Sequence, residues 1–286
     1  MTNVQRALLS IDLEDWFQVE NLKGAISRDS WAHRELRVAK NVDLILEILD
    51  QNKTRATFFV LGWIAEHVPA VVKRIHAQGH EIASHGYGHE LVYSLTPEQF
   101  RQDVRASKRI LEDLTGAELV GYRAPSFSIT DWAIGVLIDQ GFKYDSSLFP
   151  SMAHDRYGKL REYSIKGERN VELEKGFREI VLSCLPVFGR NIPWAGGGYF
   201  RIIPFPVFRS GVKKILREKG SYCFYIHPWE FDPDQPRIRS VKSLYQFRHY
   251  KNLDKTKERF VRLLKEFDFV PLREALPPES SPRRGQ

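Results

Sequence analysis

The sequence predicts an α/β fold, a single distorted (β/α) barrel with a C-terminal extension, and three observations carry that prediction. Short apolar runs alternate with stretches of helical periodicity through the first half of the chain, the rhythm of a parallel sheet or barrel. Residues able to do chemistry fall at or just beyond the C-terminal ends of those runs, where barrels place their active sites. The chain's 286 residues, 42% of them hydrophobic, suffice for one large domain with a substantial core. A doubly wound open sheet is the alternative architecture.

The elements follow in order. Ala7 to Ile11 reads as a buried strand that runs into Asp12-Leu13-Glu14-Asp15-Trp16-Phe17. Over 34–52, Leu36, Val38, Val42, Leu44, Ile45, Ile48 and Leu49 form a helical stripe, and Ala56 to Leu61 follows as a strand. Ile64 to Ala77 is the next helix, stopped by Gly79, after which a third strand leads into two histidines. Thr96-Pro97-Glu98 starts a helix, with a capping threonine and proline at the first helical position, and Gly116 closes it. Leu119 to Tyr122 is a fourth strand, Thr130 caps a helix that Gly141 ends, and Phe142 to Tyr144 is a fifth strand. Beyond Pro150 the pattern loosens into short strands and turns, then a helix from Pro206 to Lys219 and a strand from Tyr222 to Ile226. Residues 231–250 read as loop, rich in Pro, Arg and Tyr; a helix from Leu253 to Glu266 and a strand from Phe267 to Leu272 complete the extension 231–276. The domain is expected to span 1–276, with 277–286 a flexible, proline-rich tail, and no internal repeat beyond the βα rhythm is present.

Composition narrows the partners. The 43 basic and 36 acidic residues give a net charge of +7, with basic clusters at 101–109, 213–219 and 237–262. Such an excess favours anionic glycans or a lipid surface, or simply solvates the exterior. There is no nucleic-acid module and no interleaving of aromatic and basic residues of the kind single-strand binders use. No run approaches the roughly 18 apolar residues of a membrane span, and the first residues lack a charged stretch followed by an apolar one, so a soluble, cytoplasmic protein is expected. Cys184 and Cys223 both sit in apolar strand patterns and read as buried thiols rather than a disulfide.

The chemistry centres on His85 and His89. Four-residue spacing brings both imidazoles to one side of a helical turn or tight loop, and Gly86 and Gly88 let the backbone turn sharply there, although the pattern also arises by chance among nine histidines. A catalytic metal site wants about three protein ligands and an open position, and the acids after the first strand offer the third. Alternation puts Asp12 and Glu14 on one face, whereas Asp15 joins them only after the chain turns; both Glu14 and Asp15 stand as candidate ligands. Arg123 follows strand four and precedes Pro125, so a rigid turn fixes its guanidinium. His227 closes the apolar strand 222–226. Trp16, Trp194, Tyr199 and Trp229 offer apolar walls for a sugar ring or, equally, packing for the core.

Ser10-Ile11-Asp12, His85-x-x-x-His89, Arg123-Ala124-Pro125 and Phe224-Tyr225-Ile226-His227 occur in the order and rough spacing of the motifs of polysaccharide deacetylases, the NodB-like carbohydrate esterases. The resemblance covers roughly residues 5–230 and implies a barrel of the NodB-homology type. More narrowly, Asp-x-Glu-Asp-Trp-Phe, Gly196-Gly197-Gly198-Tyr199-Phe200-Arg201 and His227-Pro228-Trp229-Glu230 resemble the subfamily of exopolysaccharide loci.

The resemblance implies a hydrolase that removes N-acetyl groups from amino sugars of a polysaccharide or lipid-linked oligosaccharide. It implies a divalent metal ion, zinc foremost, on His85, His89 and an acid, with Asp12 as the base, Arg123 orienting it, and His227 protonating the leaving amine. Asp145 loosely matches the position that supports the catalytic histidine, although Asp145-Ser146-Ser147-Leu148 reads equally as a turn. A backbone N–H near Ser126 would help hold the oxyanion. Peripheral association with a membrane or with polysaccharide assembly proteins also fits. Three positions depart from the family: Leu13 stands where a second aspartate ligates the metal, Ser126 replaces an aromatic, and Gly86 replaces a serine or threonine. Two other readings therefore stay open, an amidohydrolase of the same fold acting on a small amide and a catalytically silent glycan-binding protein.

Overall fold

The computed structural model describes residues 6–151, 157–163, 165 and 169–277. In chain order the elements are β1 (Arg6–Leu13), α1 (Val38–Gln51), β2 (Thr57–Val60), α2 (Gly62–His67), α3 (Pro69–Ala77), β3 (Glu81–Ser84), α4 (Pro97–Thr115), β4 (Gly121–Tyr122), α5 (Asp131–Asp139) and β5 (Tyr144–Asp145). There follow β6 (Asn170–Glu174), β7 (Phe177–Ile180), β8 (Cys184–Val187), β9 (Arg190–Pro193), α6 (Gly197–Ile202), α7 (Phe205–Lys219), β10 (Ser221–Ile226), α8 (Ser243–Tyr250), α9 (Thr256–Glu266) and β11 (Phe269–Val270).

The sheet runs β10-β1-β2-β3-β4-β5-β7-β6, parallel except for the antiparallel pair β6 and β7 at one edge. Because each of the first five strands is added on the same side of its predecessor, right-handed crossovers carry their helices to one face, and the sheet curls into a partial barrel. A doubly wound sheet would reverse its strand order near the middle, whereas here β1 to β5 follow one another in sequence order. β1 begins before β2 in register, and its first residues Ala7 and Leu8 pair instead with β11.

Strand alternation sorts the core. Ala7, Leu9, Ile11 and Leu13 pack in one cluster with Val42, Ile45 and Leu49 of α1, while Leu8 joins Phe59, Ala83, Cys223 and Tyr225 in a second cluster on the opposite face. Burying each of the leucine, isoleucine, valine and phenylalanine side chains contributes about 1.5–3 kcal/mol. The second face is also that of Ser10 and Asp12, so period-two geometry aims Asp12 into the barrel. Both cysteines are buried and free.

The expected α4 start is present in full: Thr96 Oγ1 accepts from the Gln99 N–H, the Gln99 side chain answers the Thr96 N–H, and Gly116 ends the helix at φ 66°. Other expectations need correction. The single helix over 64–77 is two, because Pro69 lacks an N–H and drives Val68 out of helical geometry. Thr130 precedes α5 without capping it through its side chain. Residues 231–250, expected as loop, contain α8, and Leu36 lies before α1, 43% exposed. The apolar pattern around Cys184, Ile180 to Leu185, is not one strand: Ile180 ends β7 and Cys184 begins β8. Residues 278–286 of the expected tail lie outside the described residues.

Asp145 sits opposite Glu179 where β5 pairs with β7, and both are fully buried. Burial raises the Asp145 carboxyl to about 6, and burial together with Asp145 pushes Glu179 well above the usual range. Two carboxylates so placed retain a proton at neutral pH. The folded chain therefore holds a proton that the unfolded chain releases above about pH 4, and stability from this pair is lost as pH rises through and beyond 6. Relative to Glu179→Gln, the wild-type chain should lose stability between pH 4 and 8 at up to about 1.4 kcal/mol per pH unit, read from urea midpoints. A stability difference independent of pH would contradict the shared proton.

Candidate active site

A cleft of about 260 Å³ opens at the C-terminal ends of the strands, and its floor holds Asp12, Glu14, His85, His89 and His227. Each comes from a strand end or the residues just beyond it. Glu14 follows β1, its N–H donating to the Asp12 carbonyl at 3.0 Å. His85 follows β3, and the loop carrying His89 is clamped by Asp103 of α4, which accepts from the N–H groups of Tyr87 and Gly88 at 2.8 and 3.2 Å. Gly86 holds φ 73° there, and a Cβ at that position would lie 2.7 Å from the Asp103 carboxylate, which leaves no room for the serine or threonine of the family motif.

The Nε2 atoms of His85 and His89 lie 3.3 and 3.0 Å from Glu14 Oε1, and ligand atoms of the three residues all fall within 4.8 Å of one another. His85 Nδ1–H donates to the Arg123 carbonyl at 2.8 Å, which fixes the tautomer and leaves Nε2 to face Glu14. Burial works against the charge on Glu14, but His89 and His227, with hydrogen bonds from His85 and His89, hold its carboxyl well below the usual range. Two imidazoles and one carboxylate converging from buried positions fit a divalent ion.

Asp12 is gripped from behind. Arg123 Nη1 donates to Asp12 Oδ1 at 2.6 Å and to Ser10 Oγ at 2.7 Å, while its Nε and Nη2 are taken by the Ser146 carbonyl and hydroxyl. The guanidinium lies 4.1 Å from the centroid of Phe59. With five donors in a rigid fork, arginine can hold all four partners and still fix the direction of one carboxylate. Asp12 Oδ2 lies 4.0 Å from His227 Nε2.

His227 is supported by Glu230, three residues on. Nδ1–H donates to Glu230 Oε1 at 2.8 Å, and Glu230 Oε2 accepts from Arg201 Nε at 2.7 Å. Burial alone would lower the His227 imidazole, but Glu14, Glu230 and Asp12 outweigh it and raise it to about 9. Arg201 also donates to the carbonyls of Arg248, His249 and Lys251, tying α8 and the residue after it to the site. Gly196 makes this approach possible: at φ 138° a Cβ there would meet the Tyr225 carbonyl at 1.9 Å. Ser126, Phe127, Tyr157, Tyr199 and Trp229 line the cleft, and Trp229 stacks on His227 with ring centroids 5.2 Å apart.

Four candidates lie elsewhere. Asp15 is not with the histidines: its Oδ2 accepts from the N–H groups of Arg37 and Val38, so it caps α1. Asp145 is not beside His227, because its strand neighbour Tyr144 belongs to the face of Phe59; Asp145 therefore points away and holds Ser147 Oγ at 2.6 Å. Trp194 stacks on Phe208 and gives its Nε1–H to the Phe208 carbonyl, and Trp16 gives its own to the Glu35 carbonyl; neither lines the cleft. Sequence reasoning missed Ser10, Ser146, Asp103 and the part played by Arg201. Ser10, two residues before Asp12 on one strand, and Arg201, the last residue of the Gly196–Arg201 motif, had a visible signal.

Residues 29–144 match a family model described as polysaccharide deacetylase, and residues 146–277 match one described as a domain of unknown function (DUF3473). Over 109 residues the chain is 38% identical to peptidoglycan deacetylase-like protein FGM2 of Gibberella zeae, covering 37% of this chain and 32% of that one. Over 104 residues it is 34% identical to a peptidoglycan deacetylase of Helicobacter pylori, covering 36% of each. The similarity thus spans about a third of the length of these curated relatives. The solved structure of the Bc1960 peptidoglycan N-acetylglucosamine deacetylase superposes with a TM-score of 0.55 at 17% identity, over 99% of this chain and 92% of that one, a likeness of fold.

Glu14→Gln should lose stoichiometric metal, measured by elemental analysis of zinc-loaded protein. Asp15→Ala should keep the metal and lose about 1–2 kcal/mol of folding stability with the acceptor at the start of α1. Metal lost from Asp15→Ala at unchanged stability would reverse the assignment.

Proposed function

We propose that this chain, which carries a polysaccharide deacetylase domain, is a metal-dependent hydrolase that removes N-acetyl groups from amino sugars of a polysaccharide or lipid-linked oligosaccharide in exopolysaccharide biosynthesis. The observation that carries the reading is the pair beside the Glu14–His85–His89 cluster: Asp12, held by Arg123, and His227, held by Glu230, with Asp12 Oδ2 and His227 Nε2 4.0 Å apart. The named deacetylase relatives support an N-acetylated glycan as substrate.

Glu14, His85 and His89 would hold the ion, and a donor set of two histidines and a carboxylate favours Zn²⁺. When bound there, a divalent ion polarises a carbonyl and lowers the pKa of water. Arg123 turns Asp12 Oδ2 toward the cleft, from which it takes the proton of the attacking water. His227, kept protonated by its carboxylate neighbours, delivers a proton from Nε2 to the departing amine, so that the amide C–N bond breaks to acetate and a free amino sugar. The N–H of Ser126, held at φ 51° by a turn whose hydrogen bonds come from Phe127 and Ser128, is the donor suited to the developing oxyanion. Tyr199 and Trp229 supply apolar surface for the sugar ring.

Acetate release from N-acetyl oligosaccharides tests the reading. Asp12→Asn and His227→Ala should each lower kcat by about 10²- to 10⁴-fold at full metal occupancy. Near-native turnover by either variant would remove that residue from the reaction, and activity on small amides alone, with none on any N-acetyl glycan, would overturn the substrate class.

A further inference from the structure

Helix α8 reaches the cleft through Arg248, and its outer face combines two features that the hydrolytic site does not use. Leu244 and Phe247, three residues apart and so on one side of the helix, are 55% and 49% exposed. Around them the charge is of one sign. Residues 237–251 contain Arg237, Arg239, Lys242, Arg248 and Lys251 and no aspartate or glutamate. Lys251 lies 5.8 Å from the centroid of the Phe247 ring, so cation and apolar surface belong to one patch. The nearest acids in sequence are Asp234 and Asp254, outside the segment, and Glu20 belongs to a turn packed against α8 at the cleft.

The patch is firmly mounted, since Arg201 binds the carbonyls of Arg248, His249 and Lys251. Ile202, 39% exposed, lines the cleft and adds apolar surface there. A soluble polyanion would engage the basic residues but gain nothing from Leu244 and Phe247. A bilayer engages both, with apolar side chains entering the boundary between headgroups and acyl chains and the lysines and arginines meeting lipid phosphates. We propose that the outer face of α8 docks on an anionic lipid surface and brings the mouth of the cleft to it. The docking is independent of the hydrolase reading; only its use, the capture of a lipid-linked glycan, rests on that reading.

Sedimentation of the full chain with vesicles tests the docking. The chain should pellet with vesicles containing about a third phosphatidylglycerol and not with phosphatidylcholine alone, and added salt should weaken the binding. Leu244→Ser/Phe247→Ser should weaken vesicle binding by about tenfold or more, while leaving binding to dextran sulfate and turnover of a short soluble N-acetyl oligosaccharide unchanged. Arg239→Gln/Lys242→Gln should cost about fivefold per residue. Absence of pelleting with anionic vesicles would overturn the proposal, as would equal pelleting of the double serine variant. Dextran sulfate bound as tightly as vesicles, with no effect of the serine substitutions on either, would assign the face to a soluble polyanion instead. Sedimentation does not require turnover, so an inactive protein that pellets would sink the hydrolase reading alone.

Discussion

The site depends on one buried ion pair, Arg123 with Asp12. Both groups are removed from water, a loss that their attraction offsets only because each nitrogen of the guanidinium finds an acceptor in Ser10, Asp12 or Ser146. Such a pair adds little net stability, yet removing one partner typically costs about 3–5 kcal/mol because a buried charge is stranded. Its value lies in direction. The same arginine's carbonyl fixes the tautomer of His85, so one residue sets both the carboxylate proposed as base and one candidate ligand. Behind it, Glu179 Oε1 accepts from the N–H groups of Ser147 and Leu148, and Asp145 holds Ser147 Oγ, so the buried acids secure the loop that secures Arg123.

The second matched stretch, 146–277, is part of the same cleft rather than an appendage. β7 extends the sheet from β5, and β10 pairs along β1 to bring His227 opposite Asp12. Glu230 then takes the supporting position beside His227, and Arg201 couples it to α8. The glycine-rich start of α6 serves that coupling, since only a residue without a Cβ can pass so close to β10.

Much of this was legible in the sequence where one physical rule dominates. Period-two alternation aims Asp12 inward, the capping pattern at Thr96 fixes the start of α4, and the apolar runs mark the strands of the barrel. What was not legible depends on two segments meeting. Asp15 and Glu14 are both acids at a strand end, and only the approach of the α1 N-terminus separates a cap from a candidate ligand. Asp145 was misread because its face is set by Tyr144, whose inward position follows from packing on Phe59. α8 was missed because its outer face is exposed and basic rather than an apolar stripe, and its position comes from Arg201.

The central claim is that Glu14, His85 and His89 form the ligand set of a metal site beside Asp12 and His227. Anomalous difference maps from crystals grown with zinc, recorded on either side of the zinc edge, measure this most directly. The account predicts one peak bonded to Glu14, His85 Nε2 and His89 Nε2 at about 2.0–2.2 Å, with Asp12 still held by Arg123. A peak held by Asp15 or by Asp12 in place of Glu14, or none within reach of the two histidines, would contradict it.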